Sequence, residues 1–173
     1  MEDAIAKTAL DADEAQEVVQ LVGFKVADEL FGVDILMVQE ILKDIAITAI
    51  PDSPDFIVGV VNLRGNIIPV INLGKRLKLS RDKQERKDET WIMILNIGDR
   101  TTGFVVDRVT RVMKVKEKNI KPPPELVVSK GLESDYIRGV CKQNQELLAI
   151  LDFNRILLVD EFKKLSAEKK QKA

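Results

Sequence analysis

The 173-residue sequence contains no histidine. That absence removes the commonest general base, the commonest metal ligand and the phosphoryl-accepting imidazole together. A single cysteine, Cys141, excludes an internal disulfide framework and suits a reducing cytoplasm. Aromatic residues are scarce at 5%, so the expected core is built from Val, Ile and Leu, which favours strands. Neither sign of charge dominates. The 27 Lys and Arg meet 28 Asp and Glu for a net charge of −1, without the basic surplus of proteins that bind a phosphate backbone. No apolar run approaches the ~20 residues needed to span a bilayer. The first residues, MEDAIAKTALDADEAQE, are acidic and lack a basic-then-apolar leader, so a cytoplasmic location is expected.

What is present is a soluble composition, 45% hydrophobic and 32% charged. Residues 1–18 read as a flexible acidic tail, with Glu2, Asp3, Asp11, Asp13, Glu14 and Glu17 against Lys7. From Val18 the sequence turns β-rich: VVQLVGFKVA, a turn at Asp28-Glu29, then LFGVDI. ILMVQEILK fits either a helical turn or a strand. The charged stretch from Lys75 to Thr90 reads as a solvated connector. At the end, Ile156, Val159, Phe162 and Leu165 recur at helical spacing with lysines behind them.

The two halves resemble each other. ELFGVDILMVQEILK lies over RTTGFVVDRVTRVMK without a gap, matching Gly32 to Gly103. FIVGVVNLRGNIIPVINL lies over YIRGVCKQNQELLAILDF, matching Gly59 to Gly139. Two copies of a β unit of roughly five strands are expected. Each is small enough that closing the sheet into a barrel is the natural way to hide its edges. The expected fold class is mainly β: two five-stranded barrels and a C-terminal helix. The expected boundaries are 19–79 for the first barrel, 80–90 for the connector, 91–153 for the second barrel and 154–166 for the helix, with 167–173 a basic flexible tail.

No catalytic constellation emerges. Asp34, Glu40, Asp107 and Asp152 lie in apolar surroundings, and the plain reading makes each a turn anchor or the outward residue of a strand. Cys141 has no histidine to activate it. No phosphate-binding glycine loop and no metal-ligand spacing appears, so neither cofactor nor metal is expected. The most telling stretch is GVVNLRGNIIPVINL, residues 59–73. Gly65 supplies the positive φ of a hairpin turn. Consecutive apolar residues on both sides of it give these strands two greasy faces. One face fills a barrel; the other meets the sister barrel, the C-terminal helix or another protein. Pro69 cannot donate to a ladder, which predicts an edge or a bulge.

The block FIVGVVNLRGNIIPVINL, preceded by LFGVDILMVQEI and followed by LNIGDRTTGFVVDRV, resembles the CheW-like domain family of chemotaxis coupling proteins. The resemblance runs from about Leu21 to Leu165. It implies two intertwined barrels of SH3-like type and no enzymatic activity. It also implies a cytoplasmic adaptor, recruited to membrane-associated arrays, that joins the cytoplasmic tip of chemoreceptors (methyl-accepting chemotaxis proteins) to the histidine kinase CheA, with other CheW-like domains as array neighbours. Carried over by position, the receptor-facing set is Val38, Gly59, Asn62, Leu63, Arg64, Gly103, Val109 and Val112. The kinase-facing set is Ile35, Glu40 and Ile41. The second half departs from the block, with Asn144-Gln145 in place of Arg64-Gly65 and Ala149 in place of Pro69. The alternative of a different class is a small β-barrel that binds nucleic acid, which requires aromatic platforms and a basic groove.

Overall fold

The computed structural model describes residues 17–79, 90–123 and 134–157. Outside this range lie most of the acidic tail and the connector, Val159, Phe162 and Leu165 of the expected helix, and the basic tail. Among the described residues the strands are β1 (Val18–Val26), β2 (Glu29–Asp34), β3 (Val38–Lys43), β4 (Ile57–Leu63), β5 (Asn66–Asn72), β6 (Trp91–Ile97), β7 (Arg100–Val106), β8 (Arg108–Lys116), β9 (Ile137–Gln143) and β10 (Glu146–Leu151). Two short helices, α1 (Leu73–Arg76) and α2 (Phe153–Leu157), follow β5 and β10. The ambiguous ILMVQEILK proves to be both: a 3-10 turn at Ile35–Met37 and then β3.

Two-residue turns join the hairpins, and their backbone signs are those that match strand twist. Arg64 and Gly65 have φ of 51° and 85°, and Asn144 and Gln145 repeat the pattern at 45° and 70°. The first turn is Ala27-Asp28, with φ of 51° and 65°, one residue earlier than the Asp28-Glu29 expected from sequence. A carboxylate from elsewhere holds it: the Ala27 N–H donates to Asp107 Oδ2 at 2.8 Å.

The strands form two five-stranded sheets, in the orders β8-β1-β2-β10-β9 and β3-β6-β7-β5-β4. The expected boundaries at 19–79 and 91–153 therefore do not delimit the barrels. One barrel is built from β3 to β7; the other takes β1 and β2 from the first half and β8 to β10 from the second. The segment expected to connect two barrels lies between β5 and β6, within one of them. The cause is the parallel pairing of β2 with β10 and of β5 with β7, which needs long crossovers that intervening strands supply.

The duplication is nonetheless obeyed down to the register. Val70 pairs with Gly103 as Ile150 pairs with Gly32, and Val38 pairs with Leu95 as Val109 pairs with Phe24. Closure repeats too. Beyond β3 the chain returns to β4, where the Val60 N–H donates to Thr48 O at 2.8 Å and the Thr48 N–H to Val60 O at 2.9 Å. Beyond β8, Lys121 and Val140 exchange the same two bonds at 2.8 Å each. A Cβ on Gly59 would stand 2.1 Å from Thr48 O, so only glycine lets the closing strand cross there.

Both faces of the apolar strands are used, as their sequence requires. On β1, Leu21 points into its own barrel with Met113, Cys141 and Leu148, while Val22, Phe24 and Val26 enter a core shared by the two barrels. On β6, Ile92 and Ile94 fill the other barrel while Met93, Leu95 and Ile97 reach the shared core. The scarce phenylalanines gather at this joint. Phe153 at the start of α2 lies 6.5 Å from Phe24 and 4.8 Å, edge-on, from Phe104. Each buried ring is worth roughly 1.5–3 kcal/mol, which makes the joint part of the fold and not a loose contact. Ile156, expected on the helix, is buried here. Of the edge or bulge expected at Pro69, the edge is not found, because β5 lies between β7 and β4; a register slip between Ile57 and Gly59 does lie one pair away. Val60, the partner of Pro69, turns its own polar groups to Thr48, so Pro69 stands at a non-hydrogen-bonded site of that ladder. The β7 ladder starts only at Val70.

Candidate interaction site

β3 and β4 are the two edges of their sheet, and the β4–β5 turn closes the gap between them from the side. Opposite Gln39 the ladder from β3 to β6 slips by one residue, and such a bulge re-aims the side chains beside it. Glu40 is thereby turned toward the hairpin tip. The Arg64 guanidinium meets it as a two-pronged fork, Nη1 to Oε2 and Nη2 to Oε1, both 3.1 Å. The two side chains are unequally covered, Arg64 70% exposed and Glu40 26%. Asn62 Oδ1 accepts the Gly65 N–H at 3.0 Å and stiffens the same turn. Beside the pair lies a shallow cleft of ≈ 370 Å³ lined by Gln39, Leu63, Arg64, Asn66, Ile67 and Thr101. Ile67 stands 59% exposed at its rim.

This geometry joins residues that the sequence separated. Glu40 was expected on a kinase-facing surface and exposed, Arg64 on a receptor-facing one; they are hydrogen-bonded to each other, and Glu40 is partly covered. Asn62 and Leu63 lead into the same tip. Ile35 and Val38 are half-buried and pack on the shared core, and Ile41 is exposed on β3. Val109 and Val112 lie on β8, in the other barrel, where Val109 packs on the shared core and Val112 is exposed. Gly59 and Gly103 are buried and offer no surface. Gly59 lies under the Thr48 crossing, and a Cβ on Gly103 would press within 3.1 Å of Ile92 and 3.2 Å of Ile94.

The candidate acids have structural occupations. Asp34 Oδ1 accepts the Leu36 N–H at 3.0 Å, where the chain leaves one barrel for the other. Asp107 marks the return crossing and holds the Ala27 turn. Asp152 Oδ1 accepts the Arg155 N–H at 3.3 Å at the start of α2. Cys141 is buried, and burial pushes its thiol up, with a smaller opposing effect from its hydrogen bond to Gln143. Among the described residues no group of three or more Cys, Asp or Glu could hold a metal ion. The sequence's one Trp and one Tyr are both engaged: Lys43 Nζ lies 4.9 Å from the Trp91 ring centre, and Arg76 lies 4.9 Å from that of Tyr136.

Arg76 escaped the sequence reading altogether. It is buried on α1, where its Nη2 donates to Tyr136 Oη at 2.9 Å and to Ile156 O at 3.1 Å. It thus ties the end of the first half to the helix of the second. A lone arginine in the charged run KRLK gives no hint of this; the preceding NL, an N-cap before a buried Leu73, was the available signal.

Residues 20–161, which take in every described strand but the first two residues of β1, match the CheW-like domain. The chain belongs to the CheW-like domain family. It is 38% identical over 149 residues to the chemotaxis protein CheW of Treponema pallidum, covering 85% of this chain and 86% of that one. The chemotaxis protein CheW of Klebsiella aerogenes is 37% identical over 138 residues, covering 80% and 81%. Among solved structures, the scaffolding protein TtCheW from Thermoanaerobacter tengcongensis superposes with a TM-score of 0.73 at 34% identity, over 83% of this chain and 90% of that one. CheW-like membership accounts for the paired barrels. Among the described residues no helix is long and apolar enough to cross a membrane.

Proposed function

We propose that this chain is a non-enzymatic adaptor of bacterial chemotaxis, coupling the cytoplasmic tips of chemoreceptors to a CheA-type histidine kinase. The observation that carries the reading is a family match spanning both barrels, to relatives named as chemotaxis and scaffolding proteins. The exposed surface fits the role. Ile41 and Val112, and Ile67 and Leu147, are exposed apolar residues at matched positions of the two halves, available to a partner. We assign the kinase-facing surface to the barrel of β3–β7 around Glu40 and Ile41. The receptor-facing surface takes Asn62, Leu63 and Arg64 at the hairpin tip, Val38, and Val109 and Val112 on β8, with Gly59 and Gly103 setting its shape from within. Because Arg64 holds Glu40, a change at one surface alters the other. In the cell the adaptor works in the cytoplasm, drawn to receptor arrays.

The test is a titration of the purified chain with the regulatory domain of a CheA-type kinase and, separately, with a soluble receptor-tip fragment. Binding to both, at once and in a ternary complex, is the expected result. Binding to neither overturns the reading, and a salt-dependent shift with single-stranded nucleic acid instead would favour the barrel-type nucleic-acid binder.

A further inference from the structure

The face on which Val22 and Phe24 enter the shared core does not end where the core does. It continues outward along β1 through Gln20 to Val18 and across to β8. There the register sets Val18 opposite Lys116, Gln20 opposite Lys114 and Val22 opposite Val112. Val18 and Val112 remain 41% and 54% exposed, and neither Lys114 nor Lys116 has an ion pair among the described residues. The result is a two-stranded strip with Val18 beside Lys116 at its outer end, Gln20 beside Lys114 in the middle and Val112 at its inner end. Its two lysines suit an acidic occupant, and its two exposed valines give that occupant apolar footholds.

The chain supplies such a segment at this spot. Residues 1–16 carry five carboxylates (Glu2, Asp3, Asp11, Asp13 and Glu14) against Lys7 alone, with Ile5 and Leu10 among them. They join the fold at the end of this strip, where the Glu117 N–H donates to the carbonyl of Glu17 beside Lys116. The four steps from Lys116 to Val112 span only about 13 Å of strand. Sixteen extended residues reach about 50 Å, enough to reverse and cover the strip with chain to spare. We propose that the acidic N-terminal segment of this chain folds back onto the outer face of β1 and β8, its carboxylates against Lys114 and Lys116 and its apolar residues over Val18 and Val112. Tethering favours this occupant over a free one, since a short linker holds the segment at an effective concentration in the millimolar range.

One consequence rests on the function proposed above. Val112 belongs to the receptor-facing set, so a docked segment competes with the receptor there.

The docking is measured without any partner. Backbone amide spectra of the full chain are compared with those of a chain lacking residues 1–16, in low salt and in ~1 M salt, where the screening length falls to about 3 Å. The expected result is that amides from Val112 to Lys116 shift on deletion. Most of that difference disappears in high salt, and added synthetic peptide 1–16 restores it. Asp11→Asn, Asp13→Asn and Glu14→Gln together lie outside the barrels and should reproduce the deletion. Lys114→Glu with Lys116→Glu should do the same from the other side. Superimposable β8 amides beyond the residues next to the cut overturn the proposal, as do differences that grow with protein concentration, which would make a second copy the occupant. A receptor-tip titration then reads the consequence: deletion should tighten binding several-fold. Docking with unchanged receptor affinity removes Val112 from the receptor surface and leaves the docking standing. Receptor binding to neither form counts against the adaptor function alone.

Discussion

Arg64 has two separable effects, one through its guanidinium and one through its backbone. The fork to Glu40 is a partly covered bidentate pair. Exposed pairs contribute about 0.2–1 kcal/mol, and good geometry places this one near about 1 kcal/mol. Against it stands a φ of 51° at a residue with a Cβ, which costs roughly 1–2 kcal/mol relative to glycine. Glycine returns about 0.5–1 kcal/mol of that as unfolded-chain entropy. Arg64→Ala loses the fork and keeps the strain, so it should destabilise by about 1 kcal/mol. Arg64→Gly loses the fork and the strain, so its stability should fall within about 0.5 kcal/mol of wild type. If the guanidinium also reaches the receptor, both variants lose the same 1–3 kcal/mol of binding, roughly five- to more than a hundredfold, and Arg64→Lys recovers only part. Glu40→Lys sets two cations against each other and should weaken both partner titrations. Urea denaturation of Arg64→Ala, Glu40→Ala and the double variant gives the coupling directly, expected at about 0.5–1 kcal/mol. A coupling under about 0.2 kcal/mol would refute the pair. Receptor affinity unchanged in Arg64→Gly would refute the site.

Three further outcomes follow from geometry. Gly59→Ala forces a Cβ to 2.1 Å from a backbone oxygen and should cost more than about 3 kcal/mol. Its counterpart Gly139→Ala meets the Ile120 Cγ2 methyl at 2.4 Å and a backbone oxygen, Lys121 O, only at 3.1 Å, and should cost less, about 1–3 kcal/mol; equal melting temperatures for the two would contradict the crossing argument. Arg76→Met leaves Tyr136 Oη and Ile156 O without their donor and should destabilise by about 2–4 kcal/mol, with Tyr136→Phe near 1 kcal/mol, both read by thermal melts. The Cys141 thiol is pushed up by burial, so native protein should resist a thiol reagent at pH 8 until it unfolds. Its contribution to stability is full below the ordinary thiol pKa and falls as pH rises from there toward the raised value, because the unfolded chain ionises first. Stability rising over that interval in wild type relative to Cys141→Ala would reverse the sign and refute it.

Much of this architecture was legible because apolar patterning is a local code. Consecutive Val and Ile in VVNL and NIIPVINL announce strands buried on both faces, and the shared core is what the second face meets. The match of Gly32 to Gly103 and Gly59 to Gly139 likewise foretells equal registers. It cannot tell which copy each strand pairs with, because equivalent strands offer equivalent edges; the barrels therefore came out exchanged. The Glu40–Arg64 pair was invisible for a related reason. It depends on a bulge at Gln39, which has no sequence signature in QEI, and on closure across 24 residues. Gly59 and Gly103 were placed on a surface because a motif marks importance without direction. Burial and a 2.1 Å approach supply the direction.

The interleaving also sets an order of manufacture. The barrel of β3 to β7 has all its strands once residue 106 has emerged, but the other must wait for β10, which ends at Leu151. From Asp34 at the end of β2 to Leu151 is 151 − 34 = 117 residues, roughly 6–23 s at about 5–20 residues per second. Until the end of that interval Leu21 lacks Cys141 and Leu148, and Phe24 lacks Phe153. The early-closing barrel carries a ready-made apolar landing surface in Met93, Leu95 and Phe104. The barrel completed first thus offers the one begun first a place to rest while it waits for its last strands.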